Sequence, residues 1–129
     1  MQNLEQRRAD HALEKANDCR KRGDEGDCLS GYPGLIVNNG LLACLAFSVE
    51  KQKQHFRVAN AIAYHLHEMN VCRRTQGGSA DAAWLLNHLA SPNCTALTLR
   101  WATSEALAFL GYLKRFVKTE IHVQTPDQP

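Results

Sequence analysis

Apolar residues recur along most of this chain at intervals of three and four, the rhythm of helices with one buried face. Ala9, Ala12, Leu13, Ala16 and Cys19 form the first such stripe. Asn3 precedes it as an N-cap and Gln6 stands three positions on, close to the capping-box pattern. The run closes on Arg20-Lys21-Arg22 and then Gly23, which suits a helix C-terminus. Residues 23–31 read as a mobile acidic loop. The next segment, 33–49, admits two structures. Leu35-Ile36-Val37 and Leu41-Leu42-Ala43-Cys44 flank Asn38-Asn39-Gly40 as the strands of a hairpin would. Alternatively, Pro33 opens one helix with Leu35, Leu42, Leu45, Ala46 and Val49 on a single face. No second strand pair is in sight, and an isolated hairpin is marginal in water. One helix is therefore expected, with Gly40 as a close-packing position.

A third helix is expected over 53–70, burying Phe56, Ala59, Ile62, Ala63 and Leu66. Gly77-Gly78 breaks the chain, and Ser79 is placed to cap a fourth helix that ends near position 89. Ser91 and Pro92 suit a short fifth turn. Thr103 is placed to cap the last helix, with Glu105 complementing its dipole and its end near position 121. Residues 124–129 read as a frayed tail. The pattern predicts an all-α fold, a compact single-domain bundle of about six helices over 1–129.

Composition narrows the function classes. No apolar run approaches the roughly 20 residues of a membrane helix, and the first residues hold no apolar signal core. A cytoplasmic protein with no membrane partner is expected. Five cysteines (Cys19, Cys28, Cys44, Cys72 and Cys94), none closer than nine positions to another, fit neither a disulfide framework nor a zinc ribbon. They read as reduced thiols acting as small hydrophobes. Net charge is only +2, yet it is unevenly spread. Residues 51–118 carry nine Lys and Arg against three Asp and Glu, a local excess that favours an anionic partner.

The constellations that carry chemistry are weak. His65-x-His67-Glu68 lacks the His-Glu-x-x-His spacing that puts two imidazoles on one helical face, even with Cys72 added as a third ligand. Gly77-Gly78-Ser79 lacks the lysine of a phosphate-binding loop. Asn93-Cys94-Thr95 matches a glycosylation acceptor, which has no meaning in a cytosolic chain. No Ser/His/Asp or Cys/His grouping stands out. The expectation is a protein with no catalytic residues, no metal and no cofactor.

The last helix is more informative. On a wheel of about 100° per residue, Ala106, Phe109, Leu110, Leu113, Phe116 and Val117 share one arc, the core face. Ser104, Leu107, Gly111, Lys114, Arg115 and Lys118 gather opposite. A mid-helix glycine costs about 1 kcal/mol relative to alanine, and beside three cations it lets a sugar–phosphate backbone or another protein surface approach closely.

Three blocks carry a resemblance. They are Gln6-Arg7-Arg8-Ala9-Asp10-His11-Ala12, then Pro33-Gly34-Leu35-Ile36-Val37-Asn38-Asn39-Gly40-Leu41 with Leu45-Ala46-Phe47, and then the stretch from Arg100-Trp101-Ala102 through Gly111-Tyr112-Leu113-Lys114-Arg115-Phe116. In this order and at this length the chain closely resembles the small helical subunit of the Cmr complex, the type III-B CRISPR RNA-guided effector. The resemblance implies a non-catalytic subunit whose copies stack on one another along the effector filament. It also implies contacts with the other Cmr subunits and a basic surface facing CRISPR RNA and target RNA, with catalysis left to those other subunits. Arg7, Arg100, Lys114, Arg115 and Lys118 are the candidate RNA-binding residues, chosen by charge and by the wheel. Tyr112 stands where the family often has Trp, and the low net charge points to a groove completed on assembly. The rival readings are a stand-alone helical protein-interaction adaptor and, behind it, a helix-turn-helix regulator.

Overall fold

The computed structural model describes residues 2–73 and 78–119. Gly77 of the expected chain break, the helix end near 121 and the tail 124–129 lie outside them. Among the described residues there are six helices and no strand: α1 (Leu4–Ala16), α2 (Tyr32–Asn39), α3 (Leu41–Lys51), α4 (Lys53–Glu68), α5 (Ala82–Ala90) and α6 (Ala96–Thr119).

Helix α1 starts with a complete capping box. Gln6 N donates to Asn3 Oδ1 at 2.8 Å, and Asn3 N donates to Gln6 Oε1 at 2.9 Å. Its end comes nearly two turns earlier than the sequence suggests. Asn17 and Asp18 compete with helical hydrogen bonding, and Arg57 from α4 takes the carbonyls of Asp18 (2.7 Å) and Arg20 (2.9 Å). The same guanidinium holds Glu25 at 2.6 Å, so the acidic loop is fastened to α4.

The single helix expected over 33–49 is two helices. Gly40 has φ +92°, a backbone that L side chains rarely adopt. It closes α2 by donating to Ile36 O (2.8 Å) and opens α3 by accepting from Cys44 N (3.2 Å). Gly40 is thus a hinge glycine and not a packing one, since a Cβ built on it meets nothing within 4 Å. The two helices are tied inside the core, where Tyr32 Oη and Ser48 Oγ lie 2.6 Å apart. A second sharp junction joins α3 to α4 through Gln52 and Lys53, both at positive φ (62° and 58°).

Helix α4 is the central element. Val58, Ala59, Ala61, Ile62, Ala63, His65 and Leu66 are all buried, which covers more than one face and marks a helix with neighbours on several sides. Those neighbours are α1, α3, α5 and α6. Asp81, not Ser79, caps α5 by accepting from Trp84 N at 2.9 Å. The short turn expected at Ser91 and Pro92 is present over residues 91–94, Ser91 O accepting from Cys94 N.

The last helix begins two turns before the expected start. Thr95 accepts from Thr98 N through its hydroxyl (3.1 Å), and Leu99 N donates to Thr95 O. Thr103 therefore sits mid-helix, its hydroxyl donating back to Leu99 O at 2.8 Å. The result is a 24-residue helix about 36 Å long. Ala102, Ala106, Phe109, Leu110 and Leu113 are fully buried on its inner side. No helix among the described residues is long and apolar enough to cross a membrane.

Candidate nucleic-acid interface

Extending α6 backwards changes the candidate face. Arg100 now belongs to the same helix as the three C-terminal cations. Arg100, Ser104, Leu107, Gly111, Lys114 and Lys118 follow at steps of four and three, one stripe down the helix, with Arg115 beside it. Arg100, Ser104, Gly111, Lys114, Arg115 and Lys118 are exposed, and Leu107 is half-buried. The only acid in α6 is Glu105, which is buried on the other side. From Arg100 to Lys118 the stripe runs about 27 Å.

The five candidate cations are not equivalent. The side chains of Arg100, Arg115 and Lys118 make no hydrogen bond or ion pair with any described residue. Lys114 Nζ lies 3.4 Å from Ser30 O. Lys114 and Lys118 also border a cavity of about 160 Å³ with Asp27, Leu29, Ser30 and Val117. Arg7 stands apart. Its Nη2 donates to Glu68 O at 2.7 Å, at the carbonyl end of α4, where a cation also complements the helix dipole. Gly111 is open on the outside, for a Cβ there meets nothing within 4 Å.

Sequence reasoning missed the polar network on the inner side of α6. Glu105, expected as a first-turn dipole partner, is a buried mid-helix carboxylate. It accepts from Arg8 Nε and Nη2 at 2.8 Å each and from His65 Nε2 at 2.8 Å. The far nitrogen of His65, Nδ1, lies 2.8 Å from His11 Nδ1, and the His65 ring stacks on Phe109 at 4.4 Å. An ionised carboxylate only accepts, so His65 carries its proton on Nε2 and His11 donates to the bare Nδ1. Three helices are joined by this chain of contacts. The signal in the sequence was a glutamate falling on the buried arc of α6, opposite a histidine on the buried arc of α4. His67, two residues on, faces elsewhere and meets the Trp84 ring edge-on. No three His, Cys, Asp or Glu side chains converge on a metal-sized site among the described residues.

Burial governs the ionisation of these groups. Desolvation lowers His65 to about 4, against the opposing pull of Glu105. Glu105 is raised by its own burial, but hydrogen bonds from Arg8 and His65 outweigh this and leave it below the usual carboxylate range. Cys19 is pushed up to about 12, and Cys28 and Cys72 to about 11, mainly by burial, so they remain neutral thiols. A pH dependence follows from His65. Its folded value is below its unfolded value of 6.5, so the unfolded chain binds more protons between the two. The contribution is fully present above pH 6.5 and is lost as pH falls toward 4, about 3 kcal/mol in all. Melting followed by circular dichroism should drop through that window, and a His65→Gln variant should flatten the drop. A melting temperature level from pH 7 to pH 4 would refute it.

Fold and face together define a small all-α protein with a basic helical surface. The chain matches the family described as CRISPR-associated protein (Cas_Cmr5) over residues 4–120, and it belongs to that family, which supplies a subunit of the type III-B Cmr complex. Comparison with curated proteins and with solved structures gave no match.

Proposed function

We propose that this chain is a non-catalytic structural subunit of the type III-B effector, that its copies stack along the filament, and that the outer face of α6 lines the guide and target RNA path. The observation that supports this most is the α6 stripe itself. Arg100, Lys114, Arg115 and Lys118 share one exposed face of a helix whose single acid is turned inward. Contacts of that kind hold a phosphate backbone in place without reading bases. Arg7 enters as an outlying contact, since one of its five donors is already engaged at Glu68. Protein neighbours have a different surface available. Breaking the helix at Gly40 leaves a shallow apolar hollow of about 230 Å³ lined by Leu35, Asn39, Ala43, Cys44 and Phe47. Val37 and Phe47 are exposed nearby, apolar area of the sort that subunit contacts cover. An adaptor acting alone would use the same hollow.

The test is reconstitution of the effector with and without this chain. Omission should weaken target-RNA binding and flatten its salt dependence, and adding the purified chain back should restore both. The bonds cut in the target should stay the same, because cutting belongs to other subunits. Identical affinity and salt slope without the chain would overturn the proposal. So would RNA cleavage by the purified chain that a single substitution abolishes.

A further inference from the structure

Near the N-terminal end of the basic stripe stands a residue that the fold does not use. Trp101 is 53% exposed, and its indole has no ring partner or hydrogen bond among the described residues. The other tryptophan, Trp84, behaves as a packed residue, with His67 and His88 against its ring at 5.8 and 5.5 Å. Trp101 follows Arg100 directly and lies on the flank of the stripe that also carries Arg115. Between Trp101 and Arg115 that flank carries Ala108 and Tyr112, with Ser104 and Gly111 toward the stripe, and the Tyr112 hydroxyl donates to Glu5 of α1 at 2.9 Å. An indole, a second aromatic ring and cations at both ends therefore occupy one side of one helix.

Resting on the reading of α6 as an RNA-facing surface, we propose that Trp101 is a stacking platform for an unpaired base of the RNA that tracks this helix. Charge decides the occupant. The face from Arg100 to Lys118 has four cations and no acid of its own helix, which suits a polyanion. An exposed aromatic interleaved with such cations is how proteins hold single strands. Every base offers a π-face, so the contact is tolerant of sequence, and Arg100 beside the indole holds the adjoining phosphate. The cations at 114–118 would then grip the strand about 20 Å further along.

The experiment uses reconstituted effector complexes carrying Trp101→Ala or Trp101→Phe, with a target RNA bearing 4-thiouridine at successive positions. Trp101→Ala should enter the complex and lower target affinity about five- to 150-fold, the usual loss of one stacked base. The slope of log affinity against log salt should not change, because no phosphate contact is removed. Trp101→Phe should retain most of the affinity. Irradiation should link one target position to the peptide around residue 101 in the wild type and not in Trp101→Ala. Wild-type affinity in Trp101→Ala complexes would overturn the proposal, as would failure of that variant to assemble, which would make Trp101 a protein contact. A Lys114→Ala, Arg115→Ala, Lys118→Ala complex measured alongside separates the two levels. If it loses affinity and slope while Trp101→Ala does not, stacking alone fails; if neither changes, the RNA-facing reading of α6 fails with it.

Discussion

Replacing Glu105 by leucine should lower the unfolding free energy by about 3–5 kcal/mol, the largest stability effect expected from one polar position in this chain. The carboxylate is 4% exposed and accepts three hydrogen bonds from two helices, two from Arg8 and one from His65. Leucine fills similar space but leaves the His65 Nε2 proton and part of the guanidinium buried with nothing to bind. The cost lies in those orphaned donors, not in a lost attraction. A double variant, Arg8→Met with Glu105→Leu, should therefore recover much of the loss, since replacing both charges removes the unmatched one. Urea unfolding measures this, provided the denaturant slope stays constant. A domain of this size has about 5–15 kcal/mol in total, so the single variant is read at its midpoint shift even where little folded baseline remains. A loss below about 1 kcal/mol for Glu105→Leu, or a double variant no more stable than the single, would show that the network does not hold α1, α4 and α6 together.

What the sequence disclosed and what it hid divide along physical lines. Local hydrogen-bond chemistry was legible where one signal stood alone: Asn3 and Gln6 form the capping box their spacing predicts. Where two capable residues compete, local chemistry does not choose. Ser79 and Asp81 both suit an N-cap, and Asp81 prevails where Asn60 Oδ1 also accepts from Ala82 N, a tertiary contact. Thr103 looked like a start because Thr-Ser-Glu is a start signal, yet Thr95 already caps the helix and Thr103 satisfies its hydroxyl on Leu99 O. Gly40 shows the same limit. Apolar periodicity ran across it and the lack of partner strands set the hairpin aside correctly, but periodicity carries no information about φ. The outer face of α6 was legible because Lys114, Arg115 and Lys118 follow the wheel, and the longer helix adds Arg100 to the same face. The Arg8–Glu105–His65–His11 network was not legible, because its members are 97, 40 and 54 positions apart in pairs.

The outer face of α6 should reveal itself through salt. In assembled effectors carrying Lys114→Ala, Arg115→Ala and Lys118→Ala together, target RNA should bind on the order of ten- to a hundredfold more weakly at physiological salt. Each phosphate contact with a single strand contributes about 0.7 to the log–log salt slope, so losing three should flatten it by about two. The fold should survive, because the three side chains are exposed and surface substitutions usually cost no more than about 0.5 kcal/mol. Only Lys114 gives up an internal contact, a long one to Ser30 O. Gly111 supplies the steric counterpart. With nothing within 4 Å of a Cβ there, Gly111→Ala should stabilise the isolated chain by about 1 kcal/mol, because alanine is the better helix former. A bulky Gly111→Leu should also fold, yet it should hold the RNA backbone off the helix and weaken target binding with the salt slope intact. Charge removal and steric exclusion thus give different signatures on one surface. A triple variant that assembles and keeps both wild-type affinity and slope would assign this face to a protein neighbour or to solvent.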